Sequence, residues 1–271
     1  MPKYFYNKKS LPIKKKNGQS TSWEPIAKDY HKIVQYEGHF YHREVILPRL
    51  LPILSLNQHS SLVDIGCGQG ILERAIPKDC GYLGIDISPS LVAIATKLRK
   101  SKSHRFIVQD LTKKLDTCSE FHTFSSAVAI LSLQNMASPD KAVQNTARLL
   151  KSQGRFFLVL NHPCFRIPRC SSWHYDENKK LMSRKIDRYL SHMKIPILTH
   201  PGKKQSETSL SFHFPLSYWV QVLSACGFVI EHMEEWVSPK KSLGSREKAE
   251  NLCREEFPLF LMISCIKIDN E

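Results

Sequence analysis

Between residues 62 and 160 the sequence alternates short apolar runs with longer segments in which apolar residues recur at helical spacing. The pattern, which returns after residue 214, predicts strands at 62–66, 82–86, 104–109, 124–131, 155–160, 228–236 and 257–268. It predicts helices at 71–76, 89–100, 139–151 and 215–226. Because parallel strands need crossovers long enough to hold a helix, this alternation predicts an α/β fold with a doubly wound, mainly parallel sheet.

The segments that precede this alternation have a different character. Residues 1–20 are rich in Lys, Asn, Ser and Gln, which predicts a flexible basic tail. Residues 21–56 carry apolar side chains at helical spacing. We expect Pro48 and Pro52 to break this segment into two or more helices that form a cap.

Residues 161–214 interrupt the alternation for over 50 residues after the fifth predicted strand. A structureless loop of that length is unusual inside a compact domain, which favours a functional insertion on the substrate side. We expect a helix near 184–193 within it. Since the regular pattern then returns, residues 21–271 are predicted to form a single domain.

Charge and composition narrow the classes of function. The net charge is +14, and residues 1–28 and 161–214 contribute +6 each. Such lysines either keep a protein in solution or attract an anionic partner such as RNA. The apolar run at 257–266 has about half the length of a membrane-spanning helix, and the basic N-terminus has no apolar stretch of signal-peptide length. We therefore expect a cytoplasmic protein without membrane insertion, and no obligate protein partner is evident.

The eight cysteines include no C-x-x-C pair. Without a secretory signal, free thiols are the expected state. The group His162, Cys164, Cys170 and His174 has nitrogen and sulfur ligands, but its spacing matches no common zinc finger. No metal site is predicted.

A glycine-rich segment, Asp64-Ile65-Gly66-Cys67-Gly68-Gln69-Gly70, follows the first predicted strand directly. Glycines at this point let the backbone turn sharply and approach a ligand closely. Loops that bind dinucleotides prefer G-x-G-x-x-G and place a pyrophosphate at the helix N-terminus. This loop is G-x-G-x-G with an aspartate two residues before it, which favours a cationic ligand over a phosphate.

Acidic residues also end the next two predicted strands. Asp86 lies where a carboxylate can accept hydrogen bonds from two ribose hydroxyls, and Asp110 ends the third strand. The alternative interpretation of either residue is a turn or helix cap. In register with the glycine loop, they form a much stronger signal for a nucleoside-containing ligand.

Three motifs resemble those of class I S-adenosylmethionine (SAM)-dependent methyltransferases: residues 64–70, Gly84-Ile85-Asp86-Ile87-Ser88 and Val108-Gln109-Asp110. The resemblance implies a Rossmann-like seven-stranded sheet whose last strand is antiparallel, with SAM as the cofactor. It also implies cofactor-binding positions, which are Gly66, Gly68 and Gly70 around the methionine half, Asp86 at the ribose, Asp110 and Leu111 at the adenine, and Leu131 near the sulfonium. Three further residues within these motifs are predicted to bind the cofactor, namely Asp64, Cys67 and Ile87. The segments 37–43, 161–166, 211–215 and 234–236 resemble a bacterial group within this family.

The acceptor is expected at the carboxyl edge of the sheet, where the cap and the insertion can cover it. The predicted acceptor-side residues are Tyr41, His42, Asn161, Arg166 and Trp173. A protonated acceptor also needs a general base, and histidine suits that role near neutral pH. His162 is the first candidate and His213 the second, although for either one taken singly a packed or loop-anchoring histidine is the favoured interpretation.

Four hypotheses for the function follow. The leading one is methyl transfer from SAM to a small molecule, because the insertion bears histidines and aromatic residues suited to a closing lid. RNA, either rRNA or tRNA, is the alternative acceptor, since the tail and insertion are basic. An NAD-dependent oxidoreductase and a non-catalytic SAM-binding partner protein are more distant alternatives.

Overall fold

The structure is a computed structural model that describes residues 23–115, 120–198 and 208–268. The predicted basic tail at 1–20 lies outside these residues. The described strands are β1 Ser61–Ile65, β2 Gly81–Asp86, β3 Arg105–Val108, β4 Phe124–Ile130, β5 Leu150–Asn161, β6 Ser171–Asp176, β7 Leu181–Ile186, β8 Met193–Leu198, β9 Thr208–His213, β10 Phe228–Trp236 and β11 Phe260–Lys267. The described α-helices are α1 Ala27–Val34, α2 Leu47–Leu54, α3 Ile71–Ala75, α4 Pro89–Leu98, α5 Pro139–Leu149, α6 Leu216–Ala225 and α7 Glu247–Glu256.

Seven strands form one sheet in the order β10-β11-β5-β4-β1-β2-β3. The pairs β1–β2, β1–β4, β2–β3 and β4–β5 are parallel, whereas β11 is antiparallel to both β5 and β10. The predicted doubly wound, Rossmann-like sheet with an antiparallel last strand is therefore confirmed. The strand order reverses between β1 and β4, and ligand crevices lie at such switch points.

The two faces of the sheet are buried by different helices. In β1, Val63 and Ile65 belong to a core shared with α5 and α6, while Leu62 packs into a second core with α2 and α3. The alternation follows from the two-residue period of a strand. Each fully buried aliphatic side chain contributes on the order of 1.5–3 kcal/mol, so both layers stabilise the sheet.

The cap differs from the sequence expectation at its prolines. A turn of π-helix at His42–Ile46 leads directly into α2, and the Leu47 N–H donates to the His42 carbonyl. Because Pro48 has no N–H, the α-helical ladder restarts there. The prediction that Pro52 breaks the segment was wrong, because α2 continues through it to Leu54. Burial of the apolar face of α2 offsets the hydrogen bond that Pro52 cannot make.

The insertion consists of two β-hairpins in its described part, β6–β7 and β8–β9. The helix predicted near 184–193 was wrong, since β7 runs to Ile186 and β8 begins at Met193. The turn of the first hairpin is set by Asp176, whose side chain accepts hydrogen bonds from the backbone N–H groups of Asn178 and Lys179. An Asx turn between two short runs of strand-forming residues indicates a β-hairpin, and this is the sequence signal that the helix prediction did not take into account.

Two further elements differ from the prediction. Helix α5 ends at Leu149 and β5 begins at the next residue, so the strand starts earlier than the predicted 155. Helix α7 occupies the segment between β10 and β11, where no element was predicted. Ser88 caps α4, with its hydroxyl oxygen accepting from the Leu91 N–H at 3.2 Å.

Candidate active site

A cavity of about 510 Å³ opens at the carboxyl edge of the parallel strands. This volume lies within the usual range for sites that bind small molecules and cofactors. Its walls come from the ends of β1 to β5, the start of β11, the cap and one residue of the insertion hairpins. The predicted site residues that line it are Tyr41, His42, Gly66, Gly68, Asp86, Ile87, Asp110, Leu111, Leu131, Asn161 and Arg166.

The glycine loop forms the floor of the cavity at the switch point. Gly66, Gly68 and Gly70 have φ values of +72°, +53° and +77°, which favour glycine. A Cβ on Gly66 would lie 2.5 Å from the Ser132 Cβ, so no side chain fits there. A Cβ on Gly68 would meet no atom within 4 Å, which leaves open space above the loop for a ligand.

Asp86 holds the loop and lines the same cavity. Its Oδ2 accepts from the Gly68 N–H and its Oδ1 accepts from the Ser88 N–H, both at 2.9 Å. Burial raises the pKa of Asp86, while the N–H groups of Ser88 and Gly68 act in the opposite direction. Each carboxylate oxygen keeps a second lone pair, so the group can still accept hydrogen bonds from a diol.

Asp110 both caps a turn and lines the cavity. Its Oδ1 accepts from the N–H and the hydroxyl of Thr112 at 2.9 and 2.7 Å, so it caps a turn. Asp110 and Leu111 also line the cavity, with Ile87 on the neighbouring strand. A carboxylate beside apolar walls suits a flat ring with a polar edge.

Three predicted cofactor residues lie beneath the cavity and do not line it. Asp64 is buried in the sheet, and its Oδ2 accepts from the Tyr82 hydroxyl at 2.8 Å. Burial raises the pKa of Asp64 to about 7. Cys67 is buried, and a Cβ on Gly70 would contact Phe106 and Ala95. These residues shape the loop from below.

The cap supplies a cavity wall that the sequence did not identify. Trp23 and Tyr30 line the cavity and their rings pack edge to face at 5.2 Å. Burial and the nearby Asp86 raise the pKa of Tyr30 to about 12, so its hydroxyl stays protonated. The sequence placed the cap at the carboxyl edge of the sheet, but it did not indicate that Trp23 and Tyr30 would line the cavity there.

The acceptor-side residues divide into two groups. Tyr41, His42, Asn161 and Arg166 meet in one wall of the cavity. Trp173 lies on β6, where its indole packs against Phe257 and the Arg184 guanidinium, and it does not line the cavity. Residues of this wall and of the cavity's central part that the sequence analysis missed are His39, Gln134, Ile197 and Phe260.

Neither histidine predicted as a general base lines this cavity. His162 is buried; its Nε2 hydrogen-bonds to Glu235 at 2.7 Å, and its Nδ1 accepts from the Cys164 N–H. The Nε2 of His213 bonds to the Tyr189 carbonyl at 2.7 Å, and the ring borders a cleft of about 20 Å³ beside Asn161. Burial lowers the pKa of both rings. Both positions fit the structural alternative, and a catalytic role stays a prediction.

Within the described ranges, no helix combines the length and apolar character that a membrane span requires. Among the same residues, no group of three or more His, Cys, Asp or Glu side chains is placed to hold a metal ion.

Comparison with known proteins supports one family. Residues 63–156 match the model of a methyltransferase domain. The chain is 25% identical to an S-adenosylmethionine-dependent methyltransferase from Mesorhizobium loti of known crystal structure, with 81% of this chain and 96% of that chain covered and a TM-score of 0.62. The matched domain and the shared fold are those of class I SAM-dependent methyltransferases.

Two curated relatives differ in their acceptors. An 18S rRNA (guanine-N(7))-methyltransferase of Schizosaccharomyces pombe is 27% identical over 59% of this chain. A thiol S-methyltransferase of Rattus norvegicus is 24% identical over 50% of it. The chain spans 58% and 59% of the lengths of these two relatives.

Proposed function

We propose that this chain binds SAM in the cavity and transfers its methyl group to a small molecule. The observation that carries the proposal is the contact between Asp86 and the Gly68 N–H at the cavity floor. It fixes a carboxylate beside an open glycine surface, which is the arrangement that a ribose and a short charged chain require. When bound, SAM supplies an electrophilic methyl group on a sulfonium.

The residues of the chain have mainly positioning roles in this proposal. Asp86 accepts hydrogen bonds from the ribose, while Asp110 and Leu111 border the adenine. Tyr30 and Trp23 close the cavity from the cap and exclude water. Leu131 has a φ of +54°, and its N–H donates to the Val159 carbonyl, which holds the end of β4 towards the centre of the cavity. An acceptor held in line with the methyl group then reacts with little further help.

A small-molecule acceptor is favoured by the enclosure of the acceptor-side wall. Tyr41, His42 and Phe260 come from the cap and β11, and Ile197 from the insertion, so several segments surround one space. The relative that methylates thiols supports this class of acceptor. RNA is the second candidate, favoured by the relative that methylates 18S rRNA and by the net charge of +14.

Calorimetry with SAM, S-adenosylhomocysteine and NAD tests the proposal. We expect both sulfur ligands to bind in the micromolar range and NAD not to bind. Asp86→Asn should weaken S-adenosylhomocysteine at least about tenfold, because charged hydrogen bonds contribute about 1.5–3 kcal/mol. The matched control is Glu231→Gln, at an exposed carboxylate paired with Arg155, which should bind normally. Normal affinity in a folded Asp86→Asn variant would refute the site assignment.

A further inference from the structure

The strongest unexplained feature of the cavity is a cation without a counter-ion. Arg166 follows β5 and lines the cavity. Its guanidinium lies 5.1 Å from the Phe260 ring centroid and 5.8 Å from that of Tyr41. Its Nη1 is shielded from solvent and donates to no acceptor in the described part of the chain. Aromatic faces attract a cation but leave its N–H groups unpaired, and such groups are costly to bury.

The neighbours of Arg166 add positive charge. Burial, and then the charges of Lys240, Arg166 and Arg43, lower the pKa of His39 in the same wall. A carboxylate on β10, Glu235, is bonded to His162 and is not paired with Arg166. No carboxylate among the described residues forms an ion pair with Arg166. This end of the cavity therefore favours the binding of a negatively charged ligand group.

The sheet order separates this end from the acidic end. Asp86 ends β2, and β5 lies three strands away, at a distance of about 14 Å. The glycine loop follows β1, two strands from β5 and therefore about 10 Å away. A ligand group that pairs with Arg166 is thus separate from the ribose that Asp86 is proposed to hold.

A second unpaired group lies in the same wall. The Nδ1 of His42 is buried without a hydrogen-bond partner among the described residues. Burial, with a smaller effect of His39, lowers the pKa of His42 to about 4, so this imidazole is neutral near pH 7. A neutral imidazole that lines the same cavity as Arg166 can orient a polar group of the acceptor without repelling it.

We propose that the methyl acceptor carries a small anionic group, a carboxylate or a phosphate, and that Arg166 binds this group. The inference rests on the proposed function, because it assigns Arg166 to the acceptor and not to SAM. A guanidinium presents paired N–H groups that match either anion in a bidentate geometry. Phe260 and Tyr41 hold the guanidinium in place, and their rings favour an acceptor whose remaining part is aromatic or apolar.

Calorimetry on protein saturated with S-adenosylhomocysteine tests the inference, using benzoate, phenyl phosphate and neutral benzamide as probes. We expect benzoate or phenyl phosphate to bind at least tenfold more tightly than benzamide, and the preferred anion identifies the group. Arg166→Met should remove this preference, and Arg166→Lys should restore part of it. Arg155→Met, at an exposed arginine paired with Glu231, should retain it.

Each contrary result has a distinct meaning. If S-adenosylhomocysteine does not bind to the native chain, the proposed function itself fails. If it binds natively but is weakened tenfold by Arg166→Met, Arg166 pairs with the amino-acid carboxylate of the cofactor and the inference is overturned. Equal binding of benzamide and both anions, or no binding of any probe at millimolar concentration, also overturns it. Circular dichroism of each variant separates loss of binding from loss of fold.

Discussion

Asp64 has an environment that its position in the sequence does not reveal. It was predicted to favour a cationic ligand because it precedes the glycine loop. In β1, however, the two-residue period turns its side chain to the layer that contains Leu62 and Tyr82. There Tyr82 donates to it, and burial raises its pKa to about 7. The spacing of the motif identifies Asp64 as a candidate, but the face of the sheet on which its side chain lies depends on how β1 pairs with its neighbours.

This burial predicts a specific pH dependence of stability. The pKa of Asp64 is higher in the folded chain than its ordinary value of 3.8, so the folded chain binds the proton more tightly. The stabilisation is complete below about pH 4 and is lost as the pH rises through about 7. Between pH 5 and 7.5, the stability of the native chain relative to Asp64→Asn should fall by roughly 2–3 kcal/mol.

Urea unfolding at the two pH values measures this difference. The comparison with Asp64→Asn is needed because lowered pKa values at His39, His42, His162 and His213 act in the opposite direction. Glu231→Gln, at a partly exposed carboxylate paired with Arg155, should show no comparable change. An identical pH dependence in native and Asp64→Asn proteins would mean that Asp64 is ionised throughout.

At the level of elements, α1 is attached to the glycine loop by a few polar contacts. Gln69 lies within the loop and is 1% exposed. Its Nε2 donates to the Gln35 carbonyl at 2.6 Å, and its Oε1 bonds to His31 Nδ1 at 2.5 Å. Glu24 accepts from the Ser90 N–H at 3.0 Å at the other end of the cap. These contacts hold α1, which carries the cavity-lining Tyr30, over the cavity.

Gln69→Ala should therefore loosen α1 without unfolding the sheet. Two hydrogen bonds contribute about 1–3 kcal/mol together, which corresponds to roughly tenfold faster release of S-adenosylhomocysteine. Hydrogen exchange should accelerate at 27–35 and stay unchanged in β1, β4 and β5. Gln58→Ala removes an exposed glutamine outside the cap and serves as the control. Unchanged exchange at 27–35 would show that apolar packing alone holds the helix.

The elements themselves were predictable where local and tertiary signals agree. The strands of the sheet and α4, with Ser88 as its cap, follow from apolar periodicity and capping chemistry. The prediction for the insertion failed because Arg184 to Met193 contains no residue that strongly disfavours a helix. Whether its first residues form a strand depends on pairing with Trp173 and its neighbours. Pairing between distant segments carries no local signature, and the Asx turn at Asp176 was the available signal.

At the level of the whole molecule, contacts between distant segments are what the sequence could not predict. Asp86 and the glycines follow from a motif within one continuous region. Tyr30 lies near enough to Asp86, and His39 near enough to Arg166, for the charge to shift the pKa of the ring, because the cap crosses the sheet edge. The separation of negative and positive ends is likewise a product of strand order. Motif spacing contains no information on such contacts.

The net charge of +14 raises the last question, which is whether RNA is a substrate or a non-specific ligand. Residues 1–20 carry six lysines and no acidic residue. If the acceptor is a small molecule, these lysines account for much of any RNA binding. Their removal should then reduce the slope of log affinity against log salt by about 4, at ~0.7 per phosphate contact with single-stranded RNA.

Filter binding of a mixed-sequence RNA between 50 and 300 mM salt measures this slope for the full and truncated chains. The truncated chain should lose most of its RNA affinity and keep its affinity for S-adenosylhomocysteine, because the cavity is built from residues 23–260. A truncated chain that keeps its RNA affinity and slope would place the RNA-binding surface on the folded part. In that case the anion that Arg166 binds would have to be reconsidered as a nucleotide phosphate, and RNA would replace the small molecule as the leading acceptor.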